Sequence, residues 1–61
     1  MNIGGKYEIT IENDTHVCEF LGLADDGAML RFVESGNETV IEFAGIVYLA
    51  KTNAIKEYED V

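Results

Sequence analysis

The chain has no proline, no tryptophan, one cysteine, one histidine and only four basic residues among its 61. Each shortage excludes something. Without proline, no apolar run is barred from pairing as a strand within a sheet. With Cys18 as the sole cysteine, no disulfide can form within the chain, and no Cys/His cluster offers a structural zinc site. Four Lys and Arg against twelve Asp and Glu give a net charge of −8, which opposes non-specific binding to phosphate backbones and to anionic membranes. No apolar stretch approaches the roughly 18–20 residues of a membrane-spanning helix. The start of the chain shows no basic, apolar, small-residue leader. A soluble, cytoplasmic protein is expected, with no membrane partner.

Sixty-one residues make one domain, 1–61, near the lower limit of what folds alone. A core of that size rarely supplies more than about 3–5 kcal/mol, and such domains usually carry a staple. Disulfide and zinc being excluded, oligomerisation is the staple that remains.

Five β-like runs separated by turn residues organise the chain. Residues 7–12 alternate strictly, as a half-buried strand does. Asn13-Asp14 supplies a turn. Residues 16–24 form a longer run with apolar residues on both parities and Gly22 inside it, the pattern of a strongly bent strand. Asp25-Asp26-Gly27 and Ser35-Gly36-Asn37 bracket a third strand over 28–34, and a fourth covers 39–43. After Ala44-Gly45, the run Ile46-Val47-Tyr48-Leu49-Ala50 is apolar without alternation and reads as a fifth strand over 45–51, covered on both faces. The segment 52–61 reads as a tail, in which Thr52 or Asn53 could cap one helical turn around Ala54-Ile55-Lys56. The N-terminal residues through Gly5 read as loose. Short strands joined by tight turns predict an all-β fold, a small five-stranded, strongly bent antiparallel open barrel.

Two segments resemble motifs of the Sm-like family. Ile41-Glu42-Phe43-Ala44-Gly45-Ile46-Val47-Tyr48-Leu49 is similar to the family's second motif, and Asp25-Asp26-Gly27-Ala28-Met29-Leu30-Arg31-Phe32 to the end of its first. The first motif fits in two registers, with Asp25 or Asp26 at the family Asp. The former keeps Leu30 and Phe32 on one parity and is preferred, because parity decides which face is buried. The resemblance spans about Tyr7 to Lys51. It implies an open barrel that assembles by strand addition into a homo-oligomeric ring, the fourth strand of one copy pairing with the fifth of the next. On that basis Val40, Ile41, Ile46, Val47, Tyr48 and Leu49 are interface candidates. The implied ligand pocket falls on Asp25, Gly27, Met29, Glu42 and Phe43. At these positions Gly27 stands where the family stacks a base, Met29 where it has Asn, and Glu42-Phe43 where it has Arg-Gly, which reverses the charge facing an RNA ligand.

No catalytic constellation emerges. His16 and Cys18 lie two apart on one strand parity, with no third group to orient them as base and nucleophile. Asp25 and Asp26, with Asp14, lack the spacing of a calcium loop. No metal, cofactor or enzymatic activity is expected. Phe20, Phe32 and Phe43 read as core, whereas Tyr58 is the aromatic that folding explains least. The functional expectation is a non-enzymatic, Sm-like homo-oligomeric ring serving as a binding scaffold, with RNA as a candidate ligand at a degenerate pocket. The alternative is an acidic protein-interaction module that engages a basic partner protein.

Overall fold

A computed structural model describes residues 2–58 of the chain. Five antiparallel strands and one short helix follow in the order β1 (Lys6–Ile11), β2 (Asp14–Leu23), β3 (Gly27–Phe32), β4 (Glu38–Glu42), α1 (Phe43–Lys51) and β5 (Ile55–Glu57). The strands form one sheet in the order β4-β3-β2-β1-β5. Consecutive hairpins build its first four strands, and α1 carries the chain from one edge, β4, across to the other, β5. The described residues contain no helix long and apolar enough to cross a membrane.

Alternation along the strands separates two faces. Tyr7, Ile9, Cys18, Phe20, Ala28 and Leu30 are buried and pack together on one of them. Phe32, Ile41 and Ile55 from the sheet and Ile46 and Leu49 from α1 pack against this cluster. Across the opposite face, the register aligns Lys6 with Glu19, Glu19 with Arg31, and Arg31 with Glu38. Arg31 donates a hydrogen bond to Glu19 at 2.9 Å, and Lys56 lies 3.5 Å from Glu8. The hydrogen bond and charge of Glu19 hold the Arg31 pKa above its ordinary value. Opposite charges in cross-strand rows favour this pairing register.

Two irregularities shape the sheet. Glu12 and Asn13 both have positive φ (50° and 73°) between the paired residues Ile11 and Asp14. This is the two-residue, left-handed turn that matches the twist of a hairpin. It lies one residue earlier than the expected Asn13-Asp14 turn. In β2 the register shifts between Phe20 and Gly22, leaving Leu21 as the extra residue of a bulge. Gly22, at φ 141°, is the expected bend. The bulge reverses the parity beyond it, so Leu23, opposite Ala28, turns toward the core face.

The expected fifth strand over 45–51 is instead the helix α1. An apolar run of this length carries no periodicity that separates a strand from a buried helix, and here the chain's end effects decide. The helix closes as a Schellman motif: Asn53, in the left-handed region at φ 57°, donates to the Ala50 carbonyl at 3.2 Å, and Ala54 donates to that of Leu49 at 2.7 Å. The Thr52 hydroxyl donates to the carbonyls of Tyr48 and Leu49, and Lys51 in the last turn complements the helix dipole. Thr52 and Asn53 thus cap the helix before them, not one after them. The expected helical turn at Ala54-Ile55-Lys56 is β5, which pairs with β1 through Ile9 and Ile55. The N-terminal residues, expected to be loose, are tied to β2: Gly4 donates to the Phe20 carbonyl at 2.8 Å, and Phe20 donates to that of Gly5 at 2.9 Å.

Candidate functional site

One end of the molecule gathers the β2–β3 turn, the end of β4 and the start of α1. The turn is closed by the Ala24 N–H donating to the Gly27 carbonyl at 2.8 Å, which projects Asp25 and Asp26 outward. Gly27 pairs with Glu42 across the sheet. The chain then leaves β4 at Glu42, whose backbone is extended (φ −58°, ψ 149°), and enters the helix. The Phe43 N–H donates to the Asp26 carbonyl at 3.2 Å, fastening the first turn of α1 to the β2–β3 turn. This contact satisfies one of the helix's otherwise partnerless N-terminal donors; the Glu42 side chain makes no capping hydrogen bond.

Gly27 is required by close packing. A β-carbon there would run into the Ile41 carbonyl oxygen and lie 2.8 Å from its carbon and 2.9 Å from the Glu42 α-carbon. Beside it opens an apolar cleft of about 450 Å³ lined by Ile3, Phe20, Leu23, Ala28, Phe43 and Ile46. Leu23 is 73% exposed and Phe43 46%. Asp25, Asp26 and Glu42 are exposed at this end of the molecule, and none of them belongs to an ion pair among the described residues; Glu42, paired with Gly27, shares the face of Val40 and Met29, opposite the core side. The cleft itself is an apolar hollow.

Of the five expected pocket residues, Phe43 alone lines the cleft, while Asp25, Gly27 and Glu42 lie at this end of the molecule in the β2–β3 turn and the adjoining Gly27–Glu42 pair. Met29 is half-buried on the opposite face, aligned with Gly22 and Val40. The expected interface residues divide between two elements. Val40 and Ile41 lie on β4, an edge strand. Ile46, Val47, Tyr48 and Leu49 lie on α1, whose backbone is engaged in helical hydrogen bonds and offers no strand edge, a correction to their expected role. Ile46 and Leu49 face the core, whereas Val47 (52%) and Tyr48 (67%) are exposed.

The sequence pattern did not single out Ile3 and Leu23 as lining residues. Leu23 shares its parity with Glu19 until the bulge is known, and the signal that could have placed it was Gly22 itself. Ile3 reaches the cleft through backbone bonds that no side-chain pattern encodes.

Cys18 is fully buried, and burial pushes its thiol pKa up, which disfavours the reactive thiolate. His16 is half-buried and meets Phe32 edge-on, with ring centroids 5.6 Å apart. Among the described residues no three His, Cys, Asp or Glu side chains gather as metal ligands. No family model matches the chain, and no curated protein or solved structure shows significant similarity to it.

Proposed function

We propose that this protein is a non-enzymatic protein-interaction module whose binding surface is the apolar end around α1. The observation that carries this reading is the helix itself. Eight of its nine residues, from Phe43 to Ala50, contain no charged side chain, yet only Ile46 and Leu49 pack on the core. A helix apolar on all sides is normally covered on all sides. Phe43, Val47 and Tyr48 remain in solvent instead, in a protein whose composition otherwise favours solubility. Exposed apolar surface of this kind marks interaction sites.

A second reading is the Sm-like ring. The strand order favours it: β4 and β5 occupy opposite edges of the sheet, so copies could add head to tail, β4 to the next β5, and close by rotation. RNA is then the candidate ligand of the pore or pocket. The acidic pocket positions and the engagement of Arg31 and Lys56 with carboxylates leave little positive surface for it. The shortness of β5, three residues, also resembles the way sheet edges are protected from addition.

The mass in solution separates the two. Light scattering coupled to size exclusion at micromolar concentration is expected to give a monomer or a small assembly that varies with concentration. A fixed ring of several copies, persisting on dilution, would replace the first reading with the second. RNA titration at low salt would then be the next measurement.

A further inference from the structure

The cleft and the outer side of α1 together form an uncharged surface on a chain whose net charge is −8. We infer that this surface docks against the same surface of a second copy about a two-fold axis, an inference that rests on the reading of this end as a binding surface. Leu23, Phe43 and Val47 of each copy would lie against the apolar hollow of the other.

Three observations select this occupant. The first is area. Ile3, Leu23, Phe43, Val47 and Tyr48 are each between 46% and 77% exposed. Ile3, Leu23 and Phe43 line one cleft with Ile46, Val47 follows Phe43 by one helical turn, and Tyr48 lies next round the helix. Side chains of this size present on the order of 150–250 Å² when free, so the surface offers roughly 600 Å² per copy. Two such surfaces would bury about 1,200 Å², the lower end of specific interfaces.

The second is charge. All six residues that line the cleft are apolar, and α1 carries no charged side chain before Lys51. An apolar surface is complementary to itself, as a two-fold interface requires. The sheet edges do not meet this condition. Antiparallel pairing of two β4 strands about Val40 sets Glu38 of each copy opposite Glu42 of the other, and like charges directly opposite destabilise a strand pair. The other edge, β5, offers only three residues.

The third is the helix. Gly45 and the β-branched Ile46 and Val47 lower its propensity, and its first turn has neither an acidic residue nor a side-chain cap. A helix of nine residues takes its stability from packing, yet only Ile46 and Leu49 pack on the core. Cover on the outer side supplies the rest. It would also staple a small core in a chain whose one cysteine is free and buried.

The test uses the full chain, labelled with ¹⁵N and diluted from roughly 1 mM to 10 μM at about 50 and about 500 mM NaCl. The amides of Leu23, Phe43, Val47 and Tyr48 are expected to shift together with concentration, while light scattering moves between monomer and dimer mass. Added salt should tighten the dimer about tenfold, because it screens the repulsion between two acidic copies. Leu23→Ser combined with Val47→Gln, both at exposed positions and the second favouring the helix, should weaken it at least about tenfold. Val40→Gln, on β4 and facing away from the cleft, should leave it unchanged.

A dimer that weakens with salt would overturn the inference by showing that ion pairs hold the copies. Equal weakening by Val40→Gln would overturn it in favour of the strand edge. A chain still monomeric at about 1 mM would overturn it too, and is then titrated with a peptide of about 18 residues carrying a leucine stripe among glutamines and serines. If that peptide shifts the same amides, the partner is another protein and the interaction module stands without the second copy. If neither dilution nor the peptide shifts them, the reading of this end as a binding surface falls as well.

Discussion

At the scale of single residues, the position most sharply specified at the candidate site is Gly27. Its φ is not in the left-handed region, so conformational freedom is not the reason for glycine. The reason is distance: β3 and β4 approach so closely at this point that a methyl group would meet the backbone of Ile41 and Glu42. Backbone cannot swing aside as a flexible side chain can. Gly27→Ala should therefore force the two strands apart and cost about 1–3 kcal/mol, the usual range for overpacking. Urea unfolding monitored by circular dichroism checks this. A loss below a few tenths of a kcal/mol would mean that the strands separate freely at their end. The substitution also divides roles, since the family resemblance would make Gly27 a ligand position and the packing makes it a structural one. Loss of stability is expected whether or not any ligand is present.

At the scale of elements, the instructive case is the passage from α1 to β5. Asn53 holds the left-handed conformation that ends the helix and turns the chain toward β1, where the Ala54 carbonyl accepts from Thr10 at 2.8 Å. Asparagine tolerates this conformation and glycine adopts it without penalty, while a β-branched residue resists it. Asn53→Gly is expected to be neutral or to stabilise by a few tenths of a kcal/mol, and Asn53→Val to destabilise by about 1–2 kcal/mol. Thermal unfolding of both variants is the measurement, and equal melting temperatures would show that the cap contributes nothing. The same passage shows what was legible in the sequence. Strict alternation in 7–12 and turn residues at 25–27 and 35–37 placed the first four strands within a residue or two, and Gly22 placed the bulge. The run 46–50 offered no alternation and too little length for a helical period, so its type depended on the cap at Thr52-Asn53 and on contacts with Ile41 and the core. Those contacts are tertiary. The cleft was partly legible for the same reason: Phe43 was marked by its motif, whereas Leu23 and Ile3 reach it through a bulge and a backbone hydrogen bond.

At the scale of the whole molecule, charge sets the terms on which so small a core survives. Six buried apolar side chains among the described residues hold a chain carrying −8, and the described residues extend over 31 × 23 × 19 Å. At roughly 10 mM ionic strength the screening length is about 30 Å, comparable to the whole molecule, so every carboxylate repels every other; at roughly 150 mM it is about 8 Å, and only neighbours interact. The attractive pairs, Arg31–Glu19 at 2.9 Å and Lys56–Glu8 at 3.5 Å, fall inside even the shorter length and lose less. Added salt should therefore remove more repulsion than attraction. A gain of about 1 kcal/mol would raise the melting temperature of a domain this size by roughly 4–8 °C between those conditions. The variant Glu34→Lys, which reduces the net charge by two, should melt higher at low salt and respond less to added salt. A melting temperature that falls with salt would mean that the cross-strand charge rows, not the core, dominate the electrostatics.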